Sequence, residues 1–127
     1  MVVTPGQRDH WRQRWASEAA RREERRVQLQ SHAVAIAATL RQRWPDLSLW
    51  LFGSVLGPGL HADSDLDLAV AGLPAGELPE ALALVAEGRA DAAERPGSAA
   101  VAVDLVRLET LPIHWQERIR AEGQRLT

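Results

Sequence analysis

The sequence predicts an α+β protein, in which a small mixed sheet of the α/β type carries helices. Three observations indicate this class: a long helical pattern precedes the first strand, three short apolar runs have the composition of buried strands, and helical patterns follow the second and third runs. The predicted helices cover residues 7–43, 78–94 and 112–123, and the predicted strands cover residues 47–52, 65–70 and 100–106. At 127 residues the chain has the size of one domain with its own core.

The first predicted helix has two halves of different character. The second half carries an amphipathic stripe of Leu29, Ala33, Ile36, Ala37 and Leu40. We expect this half to pack on the sheet and Pro45 to stop the helix. The first half has few large apolar residues besides Trp11 and Trp15, so we expect it to project and the two tryptophans to mark a contact surface. The predicted division is a helical arm, residues 1–28, and a domain, residues 29–127.

The two ends of the chain differ in charge. Residues 1–26 contain seven arginines and four acidic residues, whereas the rest of the chain contains eight arginines and thirteen acidic residues. The arm is therefore a candidate surface for a partner or for homo-oligomer formation, although charged helical faces are most often only solvated.

The composition excludes several function classes. Cysteine is absent, which rules out disulfides and thiolate-bound zinc, and lysine is absent, which rules out a P-loop. No apolar run reaches the length of a membrane span, and the N-terminus has no signal-peptide pattern. We therefore expect a cytoplasmic protein with no membrane contact. We also expect no direct binding of nucleic acid.

Two aspartates at the start of the second predicted strand indicate a metal site. Residues i and i+2 of a strand project from the same face, so Asp65 and Asp67 lie together. The alternate apolar residues, Leu66, Leu68 and Val70, then face the core. Adjacent carboxylates repel each other unless a cation lies between them, and hard oxygen ligands suit Mg²⁺ or Mn²⁺.

A Gly-Ser pair and a third aspartate complete the predicted site. Gly53 lets the backbone approach a ligand closely, and a turn or helix that starts at Ser54 directs N–H groups and a hydroxyl towards an anion. Asp104 interrupts an apolar strand, where a carboxylate is costly to bury unless it is paired or binds a cation. Each motif alone is common in ordinary turns and strand ends. Together they describe a site for a metal-bound nucleoside triphosphate, in which three aspartates suit two-metal phosphoryl or nucleotidyl transfer.

The spacing of these residues resembles that of the nucleotidyltransferase superfamily, and closely that of its minimal nucleotidyltransferase (MNT) branch. The pair Gly53-Ser54, ten intervening residues and then Asp65-Leu66-Asp67 match the signature of that family. The flanking residues 52–56 and 64–70 are also similar, and the resemblance extends from about residue 34 to residue 126. It implies a small nucleotidyltransferase-like fold with an N-terminal helical extension.

The resemblance also implies roles for individual residues. Asp65 and Asp67 match the metal-binding carboxylates of the family, and Asp104 matches a third that also helps to activate the acceptor. Gly53 and Ser54 match the pair that grips the triphosphate. The implied cofactor is Mg²⁺ (or Mn²⁺), with ATP as the substrate.

For the activity, the resemblance implies a protein adenylyltransferase that acts as an antitoxin by transferring AMP to a HEPN-domain ribonuclease toxin. The phosphate loop departs from the family at Gly57 and His61, where basic residues are often found. This departure leaves a second interpretation open: a catalytically weak binding module that silences its partner by occlusion. A small-molecule nucleotidyltransferase of the antibiotic-modifying kind is disfavoured, because only about twenty residues follow Asp104 and no acceptor-binding domain is recognised.

Overall fold

The computed structural model describes residues 5–57, 59–60, 64–93 and 101–127, and it confirms the predicted class. Within these residues, three α-helices pack on a four-stranded mixed sheet with the strand order β3-β2-β1-β4. The helices are α1 (Pro5–Arg43), α2 (Leu78–Ala93) and α3 (Ile113–Glu122), and the strands are β1 (Ser48–Phe52), β2 (Leu66–Ala71), β3 (Val103–Arg107) and β4 (Gln124–Arg125). Short 3-10 helices lie at Ser54–Leu56, Ala75–Glu77 and Leu108–Thr110.

Helix α1 is one unbroken helix of 39 residues. No glycine or proline lies within residues 7–43, so nothing in the sequence interrupts its backbone hydrogen bonds. All side chains from residue 6 to residue 24 are exposed, which confirms the expected projection of the first half. The predicted boundary between residues 28 and 29 lies inside this helix and stays a prediction. Neither α1 nor any other helix in the described part of the chain combines the length and the apolar character needed to cross a bilayer.

One face of the sheet packs against α1 and α2 and forms the main core. The predicted stripe of α1 is buried along its whole length, from Leu29 to Leu40. The three apolar residues of β2 that were predicted to face the core, Leu66, Leu68 and Val70, are fully buried. Burial stabilises the fold by roughly 1.5–3 kcal/mol for each large aliphatic side chain, so this face supplies most of the stability.

The opposite face of the sheet is covered in part by α3. A smaller cluster of Trp50, Ala69, Leu108 and Ile119 forms there. Side chains alternate along a strand, so Asp67 shares this face with Ala69, and Asp104 shares it with Val106, which packs against the cluster. The main core and the predicted site therefore lie on opposite sides of the sheet.

Three details of the sheet differ from the prediction. Strand β2 begins at Leu66, so Asp65, which was predicted as the first residue of this strand, lies just before it. Strand β3 begins at Val103 rather than at residue 100, although the carbonyl of Ala102 accepts a hydrogen bond of 2.9 Å from Leu66 N. Strand β4 was not predicted, because two residues carry no detectable periodicity; it pairs with β1, and the guanidinium of Arg125 lies 5.7 Å from the centre of the Trp50 ring. The predicted turn at residues 95–98 lies outside the described residues.

Candidate active site

The parallel pairing of β2 with β3 brings two of the predicted aspartates together. Asp67 and Asp104 are direct partners in the register of these strands. Paired residues of neighbouring strands project from the same face, and the strands lie about 5 Å apart. Asp65 comes just before β2 and is exposed, as Asp104 is. The three predicted metal ligands therefore lie at one end of the sheet, where β2 and β3 begin.

The pKa of Asp67 reflects this crowding. Partial burial raises the pKa of Asp67 above its usual range, and the negative charges of Asp104 and Asp65 raise it further. All three causes disfavour the ionised carboxylate in the absence of a cation. A divalent cation bound among these groups would reverse the effect of the neighbouring charges and favour the ionised form.

The Gly-Ser turn lies against the same carboxylate. Gly53 has a φ of 86°, a conformation that residues with a side chain rarely adopt. A Cβ atom at Gly53 would collide with Oδ2 of Asp67. Gly53 was predicted as a point of close backbone approach, and its close neighbour in the structure is the central aspartate of the site.

Ser54 begins a short 3-10 helix, in agreement with the predicted turn. Backbone hydrogen bonds close this turn, from Leu56 N to Gly53 O at 3.2 Å and from Gly57 N to Ser54 O at 3.1 Å. Val55 is buried in the main core and anchors the turn to it. Ser54 stays half-exposed, so its position is compatible with a role in binding phosphate.

Two adjacent arginines of α1 hold the two loops that carry these residues. Arg25 is buried, and its Nε and Nη2 atoms donate hydrogen bonds of 3.1 and 2.9 Å to the carbonyl of Ser64, directly before Asp65. Arg26 Nε donates a hydrogen bond of 3.2 Å to the carbonyl of Val55, inside the Gly-Ser turn. Both arginines are positioning residues. The sequence alone did not identify them, because they belong to an arm that was expected to be largely solvated.

The three aspartates fit a hard divalent cation by their chemistry. They offer carboxylate oxygens, which are the ligands that Mg²⁺ prefers. In the part of the chain that the structure describes, no three His, Asp or Glu side chains already form a group that could hold a metal ion. Asp65, Asp67 and Asp104 are the residues that would hold the metal.

Gly57 and His61 are the two positions at which the sequence departs from the family pattern. Gly57 ends the Gly-Ser turn in extended conformation, and a Cβ atom there would have no atom of the described residues within 4 Å. Packing against the described residues therefore does not require glycine at this position. His61 lies outside the described residues.

A mixed sheet with a Gly-Ser turn beside paired aspartates is consistent with a protein of the nucleotidyltransferase class. The family model described as nucleotidyltransferase domain matches residues 35–122, a range that contains all five predicted site residues. The chain belongs to this family. Its members typically use a nucleoside triphosphate and a divalent metal, so membership supports nucleotidyl transfer as the general function. The comparisons with curated proteins and with solved structures returned no significant match.

The Gly53→Ala substitution should destabilise the protein by roughly 1–3 kcal/mol, because it adds backbone strain and a collision with Asp67. Gly57→Ala, in the same turn, is the matched control: its Cβ would have no atom of the described residues within 4 Å, and we expect a change within about 0.5 kcal/mol. Urea denaturation of both variants measures the difference. Equal stability of the two variants would contradict the close contact between Gly53 and Asp67.

The Arg25→Ala substitution should cost roughly 1–3 kcal/mol, because it leaves the carbonyl of Ser64 without two charged donors. Arg21 is the control, since it lies one turn earlier in α1, is exposed, and makes only a long hydrogen bond of 3.4 Å to Ser17 O among the bonds described for it. Arg21→Ala should therefore change stability by no more than about 0.5 kcal/mol. Denaturation curves that coincide for the two variants would refute the positioning role.

The Asp67→Asn substitution should stabilise the metal-free protein increasingly as the pH rises. Folding raises the pKa of Asp67, so the folded state holds a proton there more tightly than the unfolded state does. Below the pKa that Asp67 has in the unfolded state, its protonated carboxyl makes its full contribution to stability. This contribution is lost as the pH rises through the higher pKa that Asp67 has in the folded state.

Thermal unfolding from about pH 3 to about pH 7 tests this expectation. The melting temperature of Asp67→Asn minus that of the wild type should grow over this range. Asp46→Asn, at an exposed position outside the site, should show no such trend. A difference that shrinks with rising pH for Asp67→Asn would show that the carboxylate is stabilised in the fold.

Proposed function

We propose that the protein is a Mg²⁺-dependent adenylyltransferase that transfers AMP from ATP to a HEPN-domain ribonuclease toxin and so acts as its antitoxin in the cytoplasm. The observation that carries the proposal is the pairing of Asp67 with Asp104 beside Gly53. This arrangement supports the proposal, because it brings the Gly-Ser turn, to which we assign the phosphates, next to the carboxylates. The choice of AMP and of the partner rests on the resemblance of the signature to the MNT branch.

In the proposed reaction, a hydroxyl oxygen of the acceptor attacks the α-phosphorus of ATP. The bond between the α-phosphorus and the oxygen that bridges to the β-phosphate breaks, and pyrophosphate leaves. Asp104 is exposed, so an acceptor can reach it, and it takes the hydroxyl proton. Asp65 and Asp67 would hold Mg²⁺, and the metal would offset the charge of the triphosphate.

The acceptor belongs to another molecule in this proposal. The resemblance implies a tyrosine acceptor, and this chain contains no tyrosine. A tyrosine hydroxyl has a pKa of about 10, so it is mostly protonated at neutral pH and needs a base such as Asp104. The projecting half of α1, with the exposed Trp11 and Trp15, provides a surface on which such a partner can bind.

A second candidate function is a catalytically weak module that silences its partner by covering the partner's surface. One observation favours it. Gly57 stands where a basic residue often contacts the triphosphate in the family. The same projecting half of α1 would serve this function without any transfer.

Intact mass spectrometry distinguishes the two candidates. The protein is incubated with ATP and Mg²⁺, alone and with a HEPN-domain protein encoded by a neighbouring gene. We expect the mass of one AMP to be added to the partner and not to this chain, and we expect the addition to disappear with Asp104→Ala. Asp46→Ala, an exposed aspartate outside the site, is the matched control and should retain the transfer.

Other outcomes assign the function differently. Addition of AMP to this chain alone would overturn transfer to a partner. Absence of AMP on both proteins, with the partner still inactivated, would establish the second candidate function.

A further inference from the structure

An open cleft lies beside the candidate active site, between the Gly-Ser turn and α3. Its volume is about 480 Å³, and its lining includes Phe52, Gly53 and Leu56 on one side and Trp115, Arg118 and Glu122 on the other. Ligand sites commonly have volumes of roughly 300–1,000 Å³, so the cleft is large enough for a small organic group.

The cleft is directly continuous with the site of the aspartates. Phe52, which lines the cleft, is the direct partner of Asp67 in the antiparallel pairing of β1 with β2. Gly53 is shared by the cleft and the site of the aspartates. It lines the cleft, and it lies against the carboxylate of Asp67. A molecule with its phosphates at the Gly-Ser turn therefore has this cleft next to it.

The far wall of the cleft combines a flat aromatic ring with a planar cation. Trp115 is 44% exposed, whereas Trp44 and Trp50, which serve in packing, are each only 8% exposed. The guanidinium of Arg118 lies 5.5 Å from the centre of the Trp115 ring. Indole and guanidinium planes are the groups on which nucleic-acid bases stack.

The same wall carries a hydrogen-bond acceptor. Arg118 Nε donates to Glu122 Oε2 at 3.1 Å, which holds the two side chains together. A carboxylate has two oxygens and several lone pairs, so Glu122 can accept a further hydrogen bond from a ligand. An amino group on an aromatic ring is the matching donor.

We propose that this cleft binds the base of the nucleoside triphosphate, with Trp115 and Arg118 as its stacking surface and Glu122 as the acceptor for an amino group of the base. The proposal rests on the nucleotidyl-transfer function, since only that function places a triphosphate at the Gly-Ser turn. It assigns the selectivity for the base to α3. An amino-bearing base such as adenine fits this chemistry.

Calorimetry with ATP and with inorganic tripolyphosphate, each with Mg²⁺, separates base binding from phosphate binding. Trp115→Ala should weaken ATP binding by about ten-fold or more and leave tripolyphosphate binding unchanged, because stacking involves only the base. Trp115→Phe keeps an aromatic ring and should retain most of the affinity for ATP.

A matched control exists in α1. Trp11 is 46% exposed and has the guanidinium of Arg14 at 5.6 Å from its ring, so it shares the environment of Trp115 without the cleft. Trp11→Ala should change neither affinity. Thermal unfolding of all three variants verifies that each is folded.

The same measurements distinguish failure of this proposal from failure of the proposed function. If wild-type protein binds ATP no more tightly than tripolyphosphate, or if Trp115→Ala binds ATP as wild type does, the cleft does not bind the base, although the phosphate site stands. If the wild type binds neither compound, or if Asp65→Asn with Asp67→Asn leaves both affinities unchanged, the proposed nucleotide site is refuted together with the base site.

Discussion

The parallel pairing of β2 with β3 is the interaction on which both the core and the site depend. The register that buries Leu68 and Leu105 on one face sets Asp67 opposite Asp104 on the other. Strand residues alternate between faces, so a shift of one residue would bury carboxylates and expose leucines. Burial of the leucines thus holds the aspartates together, although their mutual repulsion raises the pKa of Asp67.

Helix α1 packs on the sheet and also holds the two loops that carry the site residues. Successive residues of an α-helix point about 100° apart, so neighbouring side chains reach different parts of the structure. Arg25 reaches the segment before Asp65, and Arg26 reaches the Gly-Ser turn. The apolar stripe that packs α1 on the sheet starts at Leu29, one turn later. A partner bound to the projecting half would contact the same continuous helix that holds both loops of the site.

The sequence predicted the parts of this structure that have a repeating or local cause. Helical spacing predicted the buried stripe of α1, alternation predicted the buried residues of β2, and Gly53 with Ser54 predicted a tight turn. It did not predict the strand register, which arises from contacts between distant residues, or β4, which is too short to show a period. Arg25 was missed for the same reason: seven arginines of residues 1–26 look alike in sequence, and only the fold buries this one.

The end of β1 connects the three parts of the proposed nucleotide site. Phe52 borders the cleft and pairs with Asp67, and Gly53 follows it and touches the same carboxylate. Ser54 then begins the turn assigned to the phosphates. Base, phosphates and metal would therefore be bound around three consecutive residues whose backbone is held by the sheet on one side and by Val55 in the core on the other. Because these residues are held on both sides, the three proposed subsites would keep fixed distances from each other, as in-line transfer at the α-phosphorus requires.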